Sequence, residues 1–334
     1  MLTLGIESSC DDTAAAILKD NGTLLSSVLS SQDETHSPFG GVVPELASRQ
    51  HLKAIVPMVQ TALYRAEVTL ADIDLISVTQ GPGLIGSLLV GFSYAKALAS
   101  VRNIPLVGVD HMAGHILAAL LEEEKPSFPY IALVVSGGSS SIYLAQNTQT
   151  FTLLGRTRDD AAGEAFDKVA KLLNLGYPGG PRVSKEASTG RRSAIRFPRA
   201  WLEENSLDFS FSGLKTAVLN HCHKEKQNNS SLAVSDICAS FQEAVVEVLM
   251  TKTLMAADIH GINTIVLGGG VSSNPRLREA MTEACAISGK KLFTPSPEYC
   301  TDNGAMIALA GYFQFQTAGP MPPEQDVYSR SRLT

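Results

Sequence analysis

The sequence predicts an α/β fold built twice over: two similar lobes whose glycine turns face a nucleotide cleft. Three observations predict it. A strand, a polar turn and a second strand occur at 2–18, with the turn at 7–13, and again at 130–145, with the turn at 136–141. Each hairpin has a later companion made of an apolar strand, a glycine turn and a helix, at 74–100 and from 263 onward. The order is the same in both halves. Laying Ser8-Ser9 on Gly137-Gly138 sets an offset of 129 residues, and laying Gly81 on Gly268 sets 187. The second half therefore carries 58 extra residues, which the segment at about 157–220 supplies. The lobes are expected at 1–128 and 129–334.

In the first half, Leu2-Thr-Leu-Gly-Ile6 is apolar enough for a buried strand. Asn21-Gly22 favours a tight hairpin turn before a third strand at 23–30. A helix is expected from 39 to 49, continuing over 52–66 with a break near Pro57, because proline lacks the N–H that a helix interior uses. A strand at 74–79 feeds Gly81-Pro-Gly-Leu-Ile-Gly86 and a helix over 86–100. A strand at 104–109 leads to Asp110, a good N-cap for the Ala/Leu-rich helix that follows. In the second half, strands are expected at 130–135, 142–145 and 150–154, and a helix with an acidic first turn near 159–168. Tyr177-Pro-Gly-Gly-Pro181 reads as a rigid loop. A helix at 236–257, a strand at 263–267 and a helix from Asn274 follow. Asp302 stands where it would cap the apolar helix 305–315.

The chain has 334 residues, 44% hydrophobic and 18% charged, enough for two substantial cores in a globular protein. Met1 runs straight into a strand, so no signal peptide is expected, and no apolar run is long enough to span a membrane. Cys10, Cys222, Cys238, Cys285 and Cys300 are odd in number and lack C-x-x-C spacing, which reads as reduced thiols in a cytoplasmic protein. The net charge of −6 rules out nucleic-acid binding through the global field. A local patch is available. Between 181 and 200, Arg182, Lys185, Arg191, Arg192, Arg196 and Arg199 stand against one acid, Glu186, a segment suited to an RNA backbone.

His111 and His115 are four apart and project from one face of a helix, a spacing that suits two imidazoles on one metal ion. Met112 occupies the place of the glutamate in His-Glu-x-x-His, so peptide hydrolysis of that style lacks its base. Asp302 is either a helix cap or a third, oxygen ligand. Two imidazoles and one carboxylate would leave positions open for substrate. The turns Ser136-Gly137-Gly138, Gly81-Pro-Gly83 and Gly268-Gly-Gly270 let backbone N–H groups approach a phosphate that side chains would hold off. Asp11 and Asp12 are either a solvated turn, or one of them stands at the cleft mouth and orients a metal-bound or phosphate-bound water.

A set of motifs runs through the chain in order: Gly5-Ile-Glu-Ser-Ser-Cys-Asp11, Gly40-Gly-Val-Val-Pro-Glu-Leu-Ala-Ser-Arg49, Gly81-Pro-Gly-Leu84, His111-x-x-x-His115 and Val135-Ser-Gly-Gly138. Ala162-Gly-Glu-Ala-Phe-Asp-Lys168, Tyr177-Pro-Gly-Gly-Pro181, Asp208-Phe-Ser-Phe-Ser-Gly-Leu-Lys215, Gly268-Gly-Gly-Val-Ser-x-Asn274 and Cys300-Thr-Asp-Asn-Gly304 complete it. Together they resemble the bacterial tRNA N6-adenosine threonylcarbamoyltransferase family, TsaD. The resemblance implies the actin/Hsp70/sugar-kinase (ASKHA) fold. It implies transfer of a threonylcarbamoyl group from threonylcarbamoyl-AMP to N6 of the adenosine 3′ of the anticodon, in tRNAs reading codons that begin with A, with release of AMP. It places metal ligands on His111, His115 and Asp302, for one divalent ion, iron with zinc as the alternative. It places substrate-binding positions on Val134, Val135, Ser136, Gly137, Gly138, Asp167, Gly180 and Asn274. Asp11 is the candidate for taking a proton from the attacking amine. A TsaB-like paralogue and a TsaE-like ATPase are the implied partners, beside tRNA and with no membrane. One departure stands out: where the bacterial family usually reads Ser-Gly-Gly-His-Thr, this chain reads Ser136-Gly-Gly-Ser139-Ser140, which leaves the choice of metal open. The alternatives are a small-molecule kinase on the same fold and a non-catalytic nucleotide-binding partner subunit.

Overall fold

The computed structural model describes residues 1–203, 205–228 and 233–333. Two five-stranded mixed sheets organise it. The first contains β1 (Leu2–Glu7), β2 (Asp12–Lys19), β3 (Thr23–Ser31), β4 (Leu75–Gly81) and β5 (Leu106–Asp110), in the order β3-β2-β1-β4-β5. Its helices are α1 (Asp33–His36), α2 (Pro44–Arg65), α3 (Ile85–Arg102) and α4 (His111–Leu117). The second contains β6 (Tyr130–Val135), β7 (Ser140–Ala145), β8 (Phe151–Arg156), β9 (Thr264–Gly268) and β10 (Lys291–Phe293), in the order β10-β9-β6-β7-β8. With it come α5 (Ala162–Leu172), α6 (Gly179–Ala187), α7 (Ser212–Gln227), α8 (Val234–Ile259) and α9 (Pro275–Ile287), and the chain closes with α10 (Pro297–Cys300) and α11 (Gly304–Ala318). Read from β8, the second order repeats the first strand for strand, which is the duplication the offsets implied. In each sheet the strand after the hairpin joins the first strand in parallel.

The chain divides into two compact units: Met1–Phe128, Ala145–Thr152 and Pro295–Thr334 in one, Pro129–Leu144 and Leu153–Thr294 in the other. The expected second lobe, 129–334, therefore yields its last forty residues to the first unit. The reason is α11, an apolar helix that covers one face of the first sheet. Gly5 points at it with no side chain, and a Cβ there would fall on the Gly304 carbonyl oxygen. Leu4 and Ile6, on the opposite face of β1, pack in a core with Ile55, Val59 and Phe92 of α2 and α3. The second core gathers Ile131, Leu133, Ile265 and Leu267 against Phe166, Phe241 and Leu249.

Three expectations change. α2 runs unbroken through Pro57. Its buried residues Ala47, His51 and Ile55 before the proline, and Val59, Ala62 and Leu63 after it, share one packed face that outweighs one lost hydrogen bond. Tyr177-Pro-Gly-Gly-Pro181 is only half a loop, since α6 already begins at Gly179 and Gly180 lies in its first turn. The cap of α11 is Asn303, not Asp302. Cys10, Cys222, Cys238, Cys285 and Cys300 all stand outside disulfide bonds. No helix among the described residues is long and apolar enough to cross a membrane.

Candidate active site

α4 places the imidazole pair. Asp110 Oδ1 accepts from the Met112 N–H at 2.9 Å, so the helix starts with His111 at its first position and His115 one turn on. Both rings are buried and meet edge to face, with centroids 4.6 Å apart. Because Asn303 Oδ1 takes the Met306 N–H at 2.8 Å and caps α11, Asp302 is released toward the histidines. Its Oδ1 lies 3.2 Å from His115 Nε2 and 3.4 Å from His111 Nε2. The three donor atoms lie within 4.8 Å of one another. Nδ1 of His111 lies 3.0 Å from Glu7 Oε2 and 3.3 Å from Ser9 Oγ. Glu7 is fully buried and also accepts from Thr79 Oγ1 and the Ser9 N–H.

Burial opposes charge on every one of these groups. On Glu7 and Asp302 the attraction of His111 outweighs burial and holds both carboxyls below their ordinary range. The same carboxylates hold His111 well above its ordinary value against burial, whereas burial prevails at His115 and lowers it. Both carboxyls are thus biased toward their charged form, the form that a divalent cation at the His111 and His115 Nε2 atoms would meet. His115 Nδ1 is buried with no hydrogen-bond partner, and Asp302 keeps its side chain 21% exposed, which leaves one side of the triangle open. Two imidazole nitrogens, one carboxylate oxygen and an open side fit a substrate-binding metal.

Asp11 and Asp12 stand at the start of β2. Burial raises the Asp11 carboxyl above its ordinary value. Burial first, then the charges of Asp302 and Asp11, push Asp12 up to about 8, and its Oδ1 is buried without a partner. The folded state therefore holds a proton that the unfolded chain loses near its ordinary value of 3.8. Stability falls as pH rises between these values and is flat above them. Asp12→Asn in chelated protein is expected to raise Tm at pH 8 by on the order of 10 °C, at about 1.4 kcal/mol per pKa unit, and to change it far less at pH 4. Equal gains at both pH values would assign the effect to something other than ionisation.

In the second unit, the chain leaves β6 at Val135 and turns through Ser136, Gly137, Gly138 and Ser139. The Ser136 N–H donates to Ser139 O at 2.7 Å, and the Ser139 N–H to Ser136 Oγ at 3.1 Å. Gly163, in the first turn of α5, donates its N–H to Ser136 O at 3.2 Å, and a Cβ on it would sit 2.6 Å from that oxygen. Gly269 turns beneath Val135 with φ +82°, and a Cβ there would fall on the Val135 carbonyl. Asp167 of α5 accepts the Gly179 N–H at 2.7 Å, which draws the start of α6, with Gly180, alongside. Val134, Val135, Ser136, Gly137, Gly138, Asp167 and Gly180 are thus gathered where β6 ends and two helices begin. Asn274 follows the Gly269 turn, but its amide is engaged. Oδ1 caps α9 at Arg276 N (2.9 Å) and Leu277 N (3.1 Å), and Nδ2 donates to Gln242 at 2.8 Å.

The basic segment is partly neutralised. Arg191 pairs with Asp236 at 2.7 Å, Arg192 with Glu279 at 3.0 Å and Arg199 with Glu247 at 2.8 Å. Arg182, Lys185 and Arg196 have no ion pair among the described residues, so the cationic surface is narrower than the composition suggested. Asp159 accepts from the Phe211 N–H (2.8 Å), the Ser212 N–H (3.3 Å) and the hydroxyls of Ser210 and Ser212, where α7 begins. Asp159→Ala is expected to lower stability by about 1–2 kcal/mol, read by urea denaturation, with the imidazole cluster untouched. Two contributors escaped the sequence reading. Glu7 had one signal, an acid closing an otherwise apolar strand. Asn303 had none that set it apart from Asp302.

The model of the family TsaD: tRNA N6-adenosine threonylcarbamoyltransferase matches residues 23–309. The chain belongs to that family. A tRNA N6-adenosine threonylcarbamoyltransferase of Desulfotalea psychrophila is 61% identical over 100% of this chain and 98% of its own length. One from Syntrophus aciditrophicus is 54% identical over 93% of this chain and 91% of its own. Like these TsaD relatives, the chain is a transferase. Solved structures agree on the fold: full-length HypF in its phosphate- and nucleotide-bound form superposes with TM-score 0.64 at 15% identity, over 96% of this chain and 47% of that one. Component A of the Acidaminococcus fermentans (R)-2-hydroxyglutaryl-CoA dehydratase gives 0.54 at 15% identity, over 94% and 98%. The TsaD chain thus has the actin/Hsp70/sugar-kinase-like architecture in both halves.

Proposed function

We propose that this TsaD-family chain moves the threonylcarbamoyl group of threonylcarbamoyl-AMP to N6 of the adenosine 3′ of the anticodon, in tRNAs reading codons that begin with A. The observation that carries the reading is the His111–His115–Asp302 triangle, with donor atoms within 4.8 Å, in a chain of this family. A small-molecule kinase would have no use for the imidazole pair. A non-catalytic partner would have no use for a triangle of two buried imidazoles and a carboxylate.

The three side chains would hold one divalent ion, iron with zinc as the alternative. Bound there, it supplies Lewis-acid polarisation and a counter-charge for the leaving phosphate. The chain's own residues do the rest. The turn that follows Val134 and Val135 at the end of β6 presents Ser136, Gly137 and Gly138 to the donor's phosphate, with the Gly137 and Gly138 N–H groups as donors, while Asp167 and Gly180 face its ribose and Asn274 borders the same pocket. The N6 lone pair attacks the carbamoyl carbon, the bond from that carbon to the phosphate oxygen breaks, and AMP leaves with the electron pair. Asp11 accepts the N6 proton, and its raised pKa makes it a better base than an ordinary aspartate. A TsaB-like paralogue and a TsaE-like ATPase are the proposed companions. Leu52, Val56 and Tyr64, exposed along α2, offer an apolar face to one of them.

The test is nucleoside mass spectrometry of unmodified tRNA incubated with the chain, its companions and threonylcarbamoyl-AMP. Threonylcarbamoyladenosine is the expected product. Its absence with companions proven competent beside a relative overturns the reading.

A further inference from the structure

Asp110 divides its two carboxylate oxygens between two partners. Oδ1 caps α4 at the Met112 N–H. Oδ2 accepts from Tyr328 OH at 3.0 Å, Ser331 Oγ at 3.0 Å and the Arg332 N–H at 3.2 Å. Those three residues close a strap that runs back along the first sheet. Met321 donates its N–H to Leu106 O at 2.7 Å, where β5 begins. Lys96 of α3 donates to Gln325 O at 2.9 Å, and Gln80 Nε2 donates to Asp326 O at 2.8 Å. The Tyr328 N–H reaches Gln80 O at 3.1 Å, and its ring lies against Gly81, where a Cβ would strike it. The Arg332 guanidinium lies over that ring, 4.1 Å from its centroid.

Segments of this length without helix or strand are usually mobile unless something ties them down. Here the tie is made to the residue directly before His111. α4 has only seven residues and little helical stability of its own, so its aim depends on what holds its first turn. We propose that the strap of residues 321–332 is a positioning element for the metal centre: by clamping Asp110 it fixes the direction in which His111 and His115 point toward Asp302. Asp302 comes in ahead of α11, a separate element, so the donor set is correct only if α4 is held in register with it. Asp110, Tyr328 and Ser331 act through the histidines and touch no reacting atom.

The inference rests on the metal reading, and the experiment separates the two. Co2+ affinity is measured on the full chain by chelator competition, beside Tm of the chelated protein. Asp110→Ser keeps an oxygen for the Met112 N–H but is too short to meet the strap. Tyr328→Phe with Ser331→Ala withdraws two donors from the other side, and Tyr328→Phe alone is the mildest form. Native protein is expected to take one Co2+. Each side is expected to loosen it about tenfold, as lost outer contacts of metal ligands do, and the combined variant to be no weaker than the weaker of the two. Asp159→Ala, in the other unit, serves as a control that loses stability while keeping Co2+ affinity. Variants that bind Co2+ like the native chain, or sides whose effects add in full, overturn the strap. A native chain that takes no Co2+ overturns the metal reading itself and the strap with it.

Discussion

His111→Ala is expected to abolish metal retention and to lower transfer to tRNA by on the order of a thousandfold or more, the scale of a metal's several kcal/mol of charge stabilisation. His111 has two roles that the substitution removes together. Its Nε2 is one vertex of the triangle with His115 and Asp302, and its Nδ1 answers the buried Glu7 carboxylate. Glu7 without that partner is a buried charge left uncompensated, a loss of about 3–5 kcal/mol in comparable cases. Asp302→Asn separates the roles. It keeps the shape and one acceptor oxygen and leaves Glu7 and His111 together, so it should retain most of the stability while losing the metal. Elemental analysis of purified protein and mass spectrometry of the tRNA nucleosides read both variants. Native rates of product from His111→Ala would make the histidine structural.

Gly5→Ala is expected to leave little soluble protein. The added Cβ meets the Gly304 carbonyl oxygen, the Ala308 N at 2.7 Å and the Ala308 Cβ at 2.8 Å. Most of what it meets is backbone, which cannot turn aside as a side chain can. Ordinary overpacking costs about 1–3 kcal/mol. Displacing a whole helix from a sheet raises this to on the order of 4 kcal/mol, a large share of a domain's stability. Soluble yield and the urea midpoint measure it. Any folded fraction should also bind metal weakly, because the shift carries Asp302 away from the imidazoles. A native midpoint would mean that α11 does not lie on β1 as closely as described.

Much of the architecture is legible locally. Apolar runs broken by glycine and polar turns mark the strands, and the repeated order marks the two sheets. Asp110 ahead of an Ala/Leu run marks α4, and four-residue spacing marks the imidazole pair. What was illegible depends on distant partners. Pro57 survives inside a helix because residues on both sides of it share a packed face. Asp302 and Asn303 are adjacent, and only the fold decides which one caps and which one turns to the histidines. Arg191 and Arg192 look free in sequence because their acids lie 45 and 87 residues away. Glu7 gains its importance from Thr79 and His111, neither of which is near it in the chain.

The return of residues 295–334 to the first unit also has a consequence for how the protein is made. Asp302 follows His115 by 187 residues. At about 5–20 residues per second, a ribosome needs roughly 10–40 s to travel from one to the other. Through that interval the nascent first sheet lacks the helix that covers one of its faces, and the imidazoles face an acid from only one side. The first half of the gene product cannot finish folding before the second half has been synthesised. The His111–His115–Asp302 triangle is therefore complete only once Asp302 has been made, and the growing chain is where chaperones have most to protect.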